Sequence, residues 1–320
     1  MKVHISNIDL NSRTGPNSFA NRLCKELISK GHSICSSTEN YDSYLAFINI
    51  VDKPRENSRL VQRLDGIWLK PDDFLIKNKE IRYTYDIADH VIWQSQFNKD
   101  LTQFHWGTKD GTVINNGIEI LSVSVTNSEL IEIRSKFDRL FVCSANWRRH
   151  KRLKENIELF QAFEKKFSHL RCGLIIMGSS PDYFLPKPKD NIFYVGSLDH
   201  NLCLQVFATA DAMFHLAYLD HCPNTVVESI SQNCPVVCAS SGGTNEIVRS
   251  NGVVIPEMAP QNFSVHDYTK PPLIDVENDE ILTSIENFIT NKSTLDKSYL
   301  DIEGVVQKYI EVLGNIRNEK

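Results

Sequence analysis

From Met213 to Gly243 the chain reads MFHLAYLDHCPNTVVESISQNCPVVCASSGG. Apolar runs and breakers divide it into a short buried strand, a loop, a helix, a second strand and a glycine pair. Pro223 suits the first helical position, where a missing N–H costs nothing. The amides of Asn224 and Thr225 then fall among the first-turn donors that have no partner within the helix. That makes an anion site. Glu228 lies roughly 7.5 Å beyond Pro223 along the axis, at about 1.5 Å per residue, and shares a face with Asn224 and Thr225. Asp220 sits in the loop ahead. Two carboxylates therefore bracket a positive helix end, which suits a ligand whose anionic centre carries hydroxyl-bearing groups on both sides. A nucleotide sugar has that layout.

The spacing of Asp220 and Glu228, followed by C-P-V-V and S-G-G-T-N-E-I-V, resembles the E-x7-E region of glycosyltransferase family 4, in particular its bacterial-type enzymes of saccharide synthesis. Those are retaining enzymes of GT-B fold, an α/β architecture of two Rossmann-like doubly wound domains facing each other across a cleft. The resemblance implies roles by position. Asp220 would meet hydroxyls of the donated sugar, Glu228 the ribose, and the Asn224 and Thr225 amides the diphosphate, with His221, Cys222 and Pro223 in the same donor-binding loop. The first acidic residue is Asp here, one methylene shorter than Glu, so the loop from His221 to Asn224 lies closer to the sugar or the contact is lost. A plainer reading makes Asp220 and Glu228 the solvated charges of an ordinary helix start.

Composition sets the class. At 320 residues, 41% hydrophobic and 23% charged, the chain is long enough for two globular domains. A net charge of −5 leaves no basic surface for nucleic acid. The eight cysteines form no C-x-x-C pair and several lie in apolar runs, as reduced thiols do, rather than disulfides or zinc ligands. Cys222, beside Asp220, reads either as a reactive thiol or as loop packing. No apolar run approaches the roughly 20 residues a membrane span needs, and the opening MKVHISNIDLNS lacks the apolar core of a signal peptide. A cytoplasmic protein is expected, with peripheral association at the cytoplasmic membrane face left open.

In the first half, Lys2 to Asp9 reads as a strand, followed by a loop and a helix with apolar Phe19, Leu23, Leu27 and Ile28. Gly15 in that loop is either a donor-side glycine, as the resemblance implies, or a turn residue. Tyr44 to Ile50 is a further strand, and the run Arg59 to Gly66 follows a polar connection, which puts Asp65 at or just past a strand's carboxyl end, where open α/β sheets face their ligands. The R-L-D-G segment is similar to one in some bacterial members of the family, so Arg63 and Asp65 are acceptor-side candidates. An Asp-Gly turn is the alternative. Tyr85 to Ser95, and Val113 to Glu119 with Asn115 for the family's proline, match its pattern up to a boundary near residue 120. The expected division is an acceptor domain over 1–122, a donor domain over 123–296, and a C-terminal helix over 297–320 packing back on the first domain.

In the second half, Leu140 to Ala145 is a strand, and N-W-R-R-H-K-R-L follows it into a helix. Cations just after a strand face the crevice. The family pattern there is G-R-x-x-x-x-K-G, whose arginine and lysine neutralise the leaving diphosphate; Lys151 aligns with the lysine and Asn146 with the arginine, so Arg148 is the substitute. Arg149 and Arg152 read as solvated charges. Cys172 to Gly178 and Asn191 to Gly196 are buried strands, and the loop from Gly196 is where the resemblance places the nucleotide base. Glu246 is expected to cap a short helix, 257–276 to form a loop, and helices to run over 277–290 and 297–318.

No Asp-x-Asp occurs, so the resemblance implies catalysis without a metal or other cofactor, the diphosphate charge being met by Lys151, Arg148 and the helix end. The substrates would be a UDP- or GDP-linked sugar and a saccharide or lipid-linked saccharide acceptor. Asp220, Lys151 and Asp65 are the catalytic candidates. Two other readings keep the fold: a nucleotide-sugar epimerase, and a non-catalytic subunit partnering an active transferase, for which the exchanges at Asn146 and Asp220 speak. Dehydrogenase and P-loop readings fail for want of G-x-G-x-x-G and G-K-S/T.

Overall fold

The computed structural model describes residues 1–12, 14–179, 189–291 and 294–314. They form two compact units: the first holds 1–119, 262–267 and the C-terminal segment from Ser298, and the second holds 120–261 and 268–297.

The first unit runs β1 (Lys2–Ser6), α1 (Gly15–Ser29), β2 (Ser33–Cys35), β3 (Ser43–Phe47), β4 (Arg59–Leu64), α2 (Pro71–Lys77), α3 (Lys79–Ile87), β5 (His90–Trp93), α4 (Gln96–Trp106) and β6 (Gly111–Val113). Its sheet is parallel, in the order β2-β1-β3-β4-β5-β6. Strands buried on both faces read as continuous apolar runs, as β3 does. β3 stops at Phe47 because Ile48 turns to φ 70 and the Asn49 amide bonds back to the Phe47 carbonyl.

The second unit runs α5 (Ser128–Lys136), β7 (Arg139–Ser144), α6 (Leu153–Lys166), β8 (Cys172–Met177), β9 (Ile192–Gly196), α7 (His200–Thr209), β10 (Ala212–His215), α8 (Asn224–Ser231), β11 (Val236–Ala239), α9 (Thr244–Val248), β12 (Gly252–Ile255) and α10 (Asp279–Thr290). The sheet is again parallel, β12-β11-β10-β7-β8-β9. This order reverses between β7 and β10: the chain winds outward from β7 one way, then returns to β10 and winds the other. In such sheets the ligand crevice lies outside the carboxyl ends of the strands at the reversal. Phe141 on β7 stacks on Phe214 of β10, ring centroids 4.7 Å apart, and fixes the two central strands together within the core.

The chain closes with a 3-10 turn at Ser298–Leu300 and α11 (Ile302–Gly314), whose Ile302, Val305, Val306, Tyr309, Val312 and Leu313 enter the core of the first unit. The expected helix end at 315–318 lies outside the described residues. The helix around residue 223 starts one position later than expected. Pro223 has φ −69 but ψ 120, so it is the N-cap and Asn224 the first helical residue. No helix among the described residues is long and apolar enough to cross a membrane.

Candidate functional site

β7 and β10 each end in a loop that the surrounding packing holds in place. After β7, the Trp147 indole N–H donates to the Met177 carbonyl at 2.9 Å and its amide to Ser179 at 2.9 Å, which ties the loop to β8. A 3-10 turn, Arg149–Lys151, then leads to Arg152 in the left-handed region at φ 53. Arg152 is not the solvated charge that the basic run suggests. It is 1% exposed, with two 2.8 Å bonds to Glu257 and others to the carbonyls of Pro272 (2.7 Å) and Leu216 (3.2 Å). The left-handed turn sends this side chain inward while its neighbour Lys151 faces the end of β10.

After β10, the Tyr218 amide bonds to the His150 carbonyl at 2.7 Å, joining the two loops. Leu219 takes φ 54, and Asp220 follows. The Gly243 amide donates to the Asp220 carbonyl at 2.7 Å. Gly242, at φ 77, lies so close that a Cβ there would come 2.5 Å from the Asp220 oxygen. Gly242 is thus required by close approach to the backbone of Asp220.

The two loops meet in a three-residue cluster. The Lys151 ammonium pairs with Oδ2 of Asp220, and the same oxygen takes Nε2 of His215, the last residue of β10, at 3.1 Å. Burial works to raise the Asp220 pKa, but the Lys151 charge and the His215 hydrogen bond outweigh it and hold the carboxyl well below its usual range. Burial lowers His215, against the pull of Asp220. It also lowers His150 and His221, each to about 4. At neutral pH the charges here are therefore the Lys151 ammonium and the Asp220 carboxylate, among neutral imidazoles.

Asn224 and Thr225 head α8, and the Val226 and Val227 amides turn back to the Pro223 carbonyl at 3.1 and 3.4 Å. Glu228 lies one turn on, largely buried, with Nδ1 of His200 3.8 Å from its carboxylate. Cys222 is buried in the loop. Arg148 is exposed beside the 3-10 turn, and Asn146 accepts from the Ser179 hydroxyl at 3.1 Å. Gly196 ends the edge strand β9 at φ 67.

Gly15 and Asp65 belong to the first unit. Gly15 is the first residue of α1. Asp65 follows β4 and is bound by Arg63, which is wholly buried between Phe19 and Phe47 at 4.7 and 4.6 Å and reaches Asn116 at 2.8 Å. Burial raises the Asp65 pKa against the pull of Arg63. Among the described residues no three metal-ligating side chains gather.

Sequence reading missed His215 and His200. A histidine closing an otherwise apolar strand at a ligand-facing edge was the available signal for the first; the second, on an exposed helix start, gave none.

Residues 131–266 match the family described as Glycosyl transferases group 1. The matched segment lies almost wholly in the second unit. Solved structures align over the full chain: HepE from Anabaena in complex with UDP and glucose, 16% identical, TM-score 0.65, over 98% of this chain and 99% of that one. WaaG, a glycosyltransferase involved in lipopolysaccharide biosynthesis, is 13% identical with a TM-score of 0.63 over all of both chains. AviGT4, a glycosyltransferase involved in avilamycin A biosynthesis, is 14% identical with a TM-score of 0.59 over 98% and 97%. The fold is GT-B. No curated protein matches the sequence.

Proposed function

We propose that the protein is a retaining, metal-independent glycosyltransferase that moves a sugar from a UDP- or GDP-linked donor to a saccharide or lipid-linked saccharide. In this reading the second unit binds the donor, the first receives the acceptor, and the enzyme works in the cytoplasm, against soluble acceptors or acceptors borne on the cytoplasmic face of the membrane.

The observation that carries the reading is the meeting of Lys151 and Asp220 where the sheet order reverses, with the start of α8 following directly in the chain. A diphosphate placed there would find the Lys151 ammonium and the positive helix end. Both would be in position before charge develops on the leaving group, which is how fixed dipoles and charges lower a barrier. Glu228 would take the ribose hydroxyls and Asp220 those of the sugar. With retention, the acceptor hydroxyl attacks on the face the phosphate leaves, and that phosphate can accept its proton. Asp65, its pKa raised by burial, is the side chain to test as an added base. The exchange of arginine for Asn146 favours a second reading, a non-catalytic subunit.

Calorimetry without metal tests the proposal. One of UDP, GDP and ADP should bind, UDP first in order given the HepE complex. Glu228→Ala and Lys151→Ala should each weaken binding by about 10- to 100-fold, the worth of a charge-assisted hydrogen bond. A folded protein that binds none of the three would overturn the transferase reading in favour of the subunit.

A further inference from the structure

We propose that Lys151, Asp220 and His215 form a latch. Donor binding draws Lys151 from Asp220 to the diphosphate, and His215 takes over the carboxylate with a proton from solvent. The ligand half of this rests on the donor reading above, whereas the exchange between the three side chains does not.

The geometry requires a replacement for the lysine. Lys151 and His215 hold one oxygen, Oδ2, of Asp220, whose side chain is 15% exposed. A carboxylate that buried is strongly destabilised if it loses its counter-charge. The Asp220 backbone is held in place, its carbonyl accepting from the Gly243 amide and its main chain lying against Gly242. His215 is fixed on β10, 4% exposed, and already in hydrogen-bond contact. As a neutral ring it gives Oδ2 a hydrogen bond from Nε2. With a second proton on Nδ1 it becomes the cation that the pair has lost.

The direction of the proton follows from the neighbours. The charges that reach His215 are Asp220, which raises its affinity for a proton, and Lys151, which lowers it. When the ammonium turns to the diphosphate, the repulsion falls and the attraction stays, so both changes favour uptake. The other titratable groups on the surrounding elements do not compete. Cys143 on β7 and Cys238, paired with His215 in register on β11, have thiols pushed well up by burial. His150 and His221 are held near 4. Arg152 is engaged by Glu257. His215 is therefore a positioning residue: it keeps Asp220 ionised and aimed at the sugar after the lysine has left.

Two measurements test this. In Lys151→Met, NMR titration should show His215 rising above the ordinary histidine value near 6.5, from below it in the unsubstituted protein. No rise would overturn the latch. For donor binding the probe is UDP-glucose, whose diphosphate does not itself titrate near neutrality. Calorimetry in phosphate and in Tris should show proton uptake, with affinity falling by up to tenfold per pH unit as pH rises through neutrality. In His215→Gln, which keeps a donor but cannot titrate, binding should persist without uptake. Uptake that survives this substitution would overturn the proposal. If UDP-glucose does not bind while His215 rises in Lys151→Met, the donor reading falls and the exchange stands for another anion.

Discussion

Arg152 follows Lys151 where the family pattern has glycine, and it keeps a glycine-like backbone at φ 53. That conformation costs a side-chain-bearing residue about 1–2 kcal/mol. The two bonds to Glu257, with the Leu216 and Pro272 carbonyls, offset the strain and fasten the loop carrying Lys151. Arg152→Ala should therefore destabilise the second unit by about 3–5 kcal/mol, since it strands a buried carboxylate. Glu257→Gln added to it should recover part of the loss in urea melts; an additive double substitution would refute the pairing. At Gly242 the constraint is space. Gly242→Ala brings Cβ against Asp220 at an unfavourable φ, costs at least about 2 kcal/mol, and should weaken nucleotide binding more than Gly304→Ala, which meets nothing within 4 Å.

At the scale of elements, the loop between β10 and α8 is where sequence and structure agree most closely and also where they part. Asp220 and Glu228 were legible because helix geometry and a fixed spacing place them. Lys151 was singled out because, in a run of cations that follows a strand, it aligns with the lysine of the resembled pattern. The inward turn of Arg152 was not legible, since four cations and a histidine in a row do not disclose which one takes a left-handed φ. His215 was hidden because a histidine ending an apolar strand reads as core until the loop folds over it. The start of α8 moved by one residue because Pro223 fits a helix in φ and not in ψ. The same loops predict a pH response. His150 and His221 bind protons at about 4 in the folded state and near 6.5 unfolded, so the unfolded chain takes up more protons between those values. Stability should fall as pH drops from 6.5 to 4, by at most about 3 kcal/mol per histidine. Asp220 acts lower: its depressed pKa gives stability that is lost only below the ordinary carboxylate value near 3.8. The urea midpoint measured from pH 7 to 4.5 should decline, and His221→Gln should flatten the decline; an unchanged slope would count against burial of the neutral ring.

At the scale of the molecule, each unit is a parallel six-stranded sheet, and that much was readable because buried parallel strands are apolar throughout and alternate with amphipathic helices. Strand order was not readable, since it depends on which edges pair after the crossovers form. The first unit depends on a helix remote in sequence. One of its core clusters is built from β1, β3, β4 and β5 together with α1 and α11, while α3 and α4 bury Ile81, Tyr85, Phe97 and Leu101 elsewhere in the unit. Tyr309 meets Phe19 at 5.8 Å between ring centroids, and the Ser43 hydroxyl donates to the Leu313 carbonyl at 2.7 Å. The six α11 side chains in that core, at about 1.5–3 kcal/mol each, gain on the order of 10 kcal/mol before the cost of ordering the helix. A domain's whole stability is about 5–15 kcal/mol. A chain ended after Lys297 should therefore lose the first unit while the second, whose core cluster includes no residue beyond Ile285, keeps its fold. Hydrogen exchange on the truncated protein should find protection in β7, β8 and β10 and near-complete exchange in β1, β3 and β4. Protection retained across β1, β3 and β4 would show that α1 and the sheet suffice without α11.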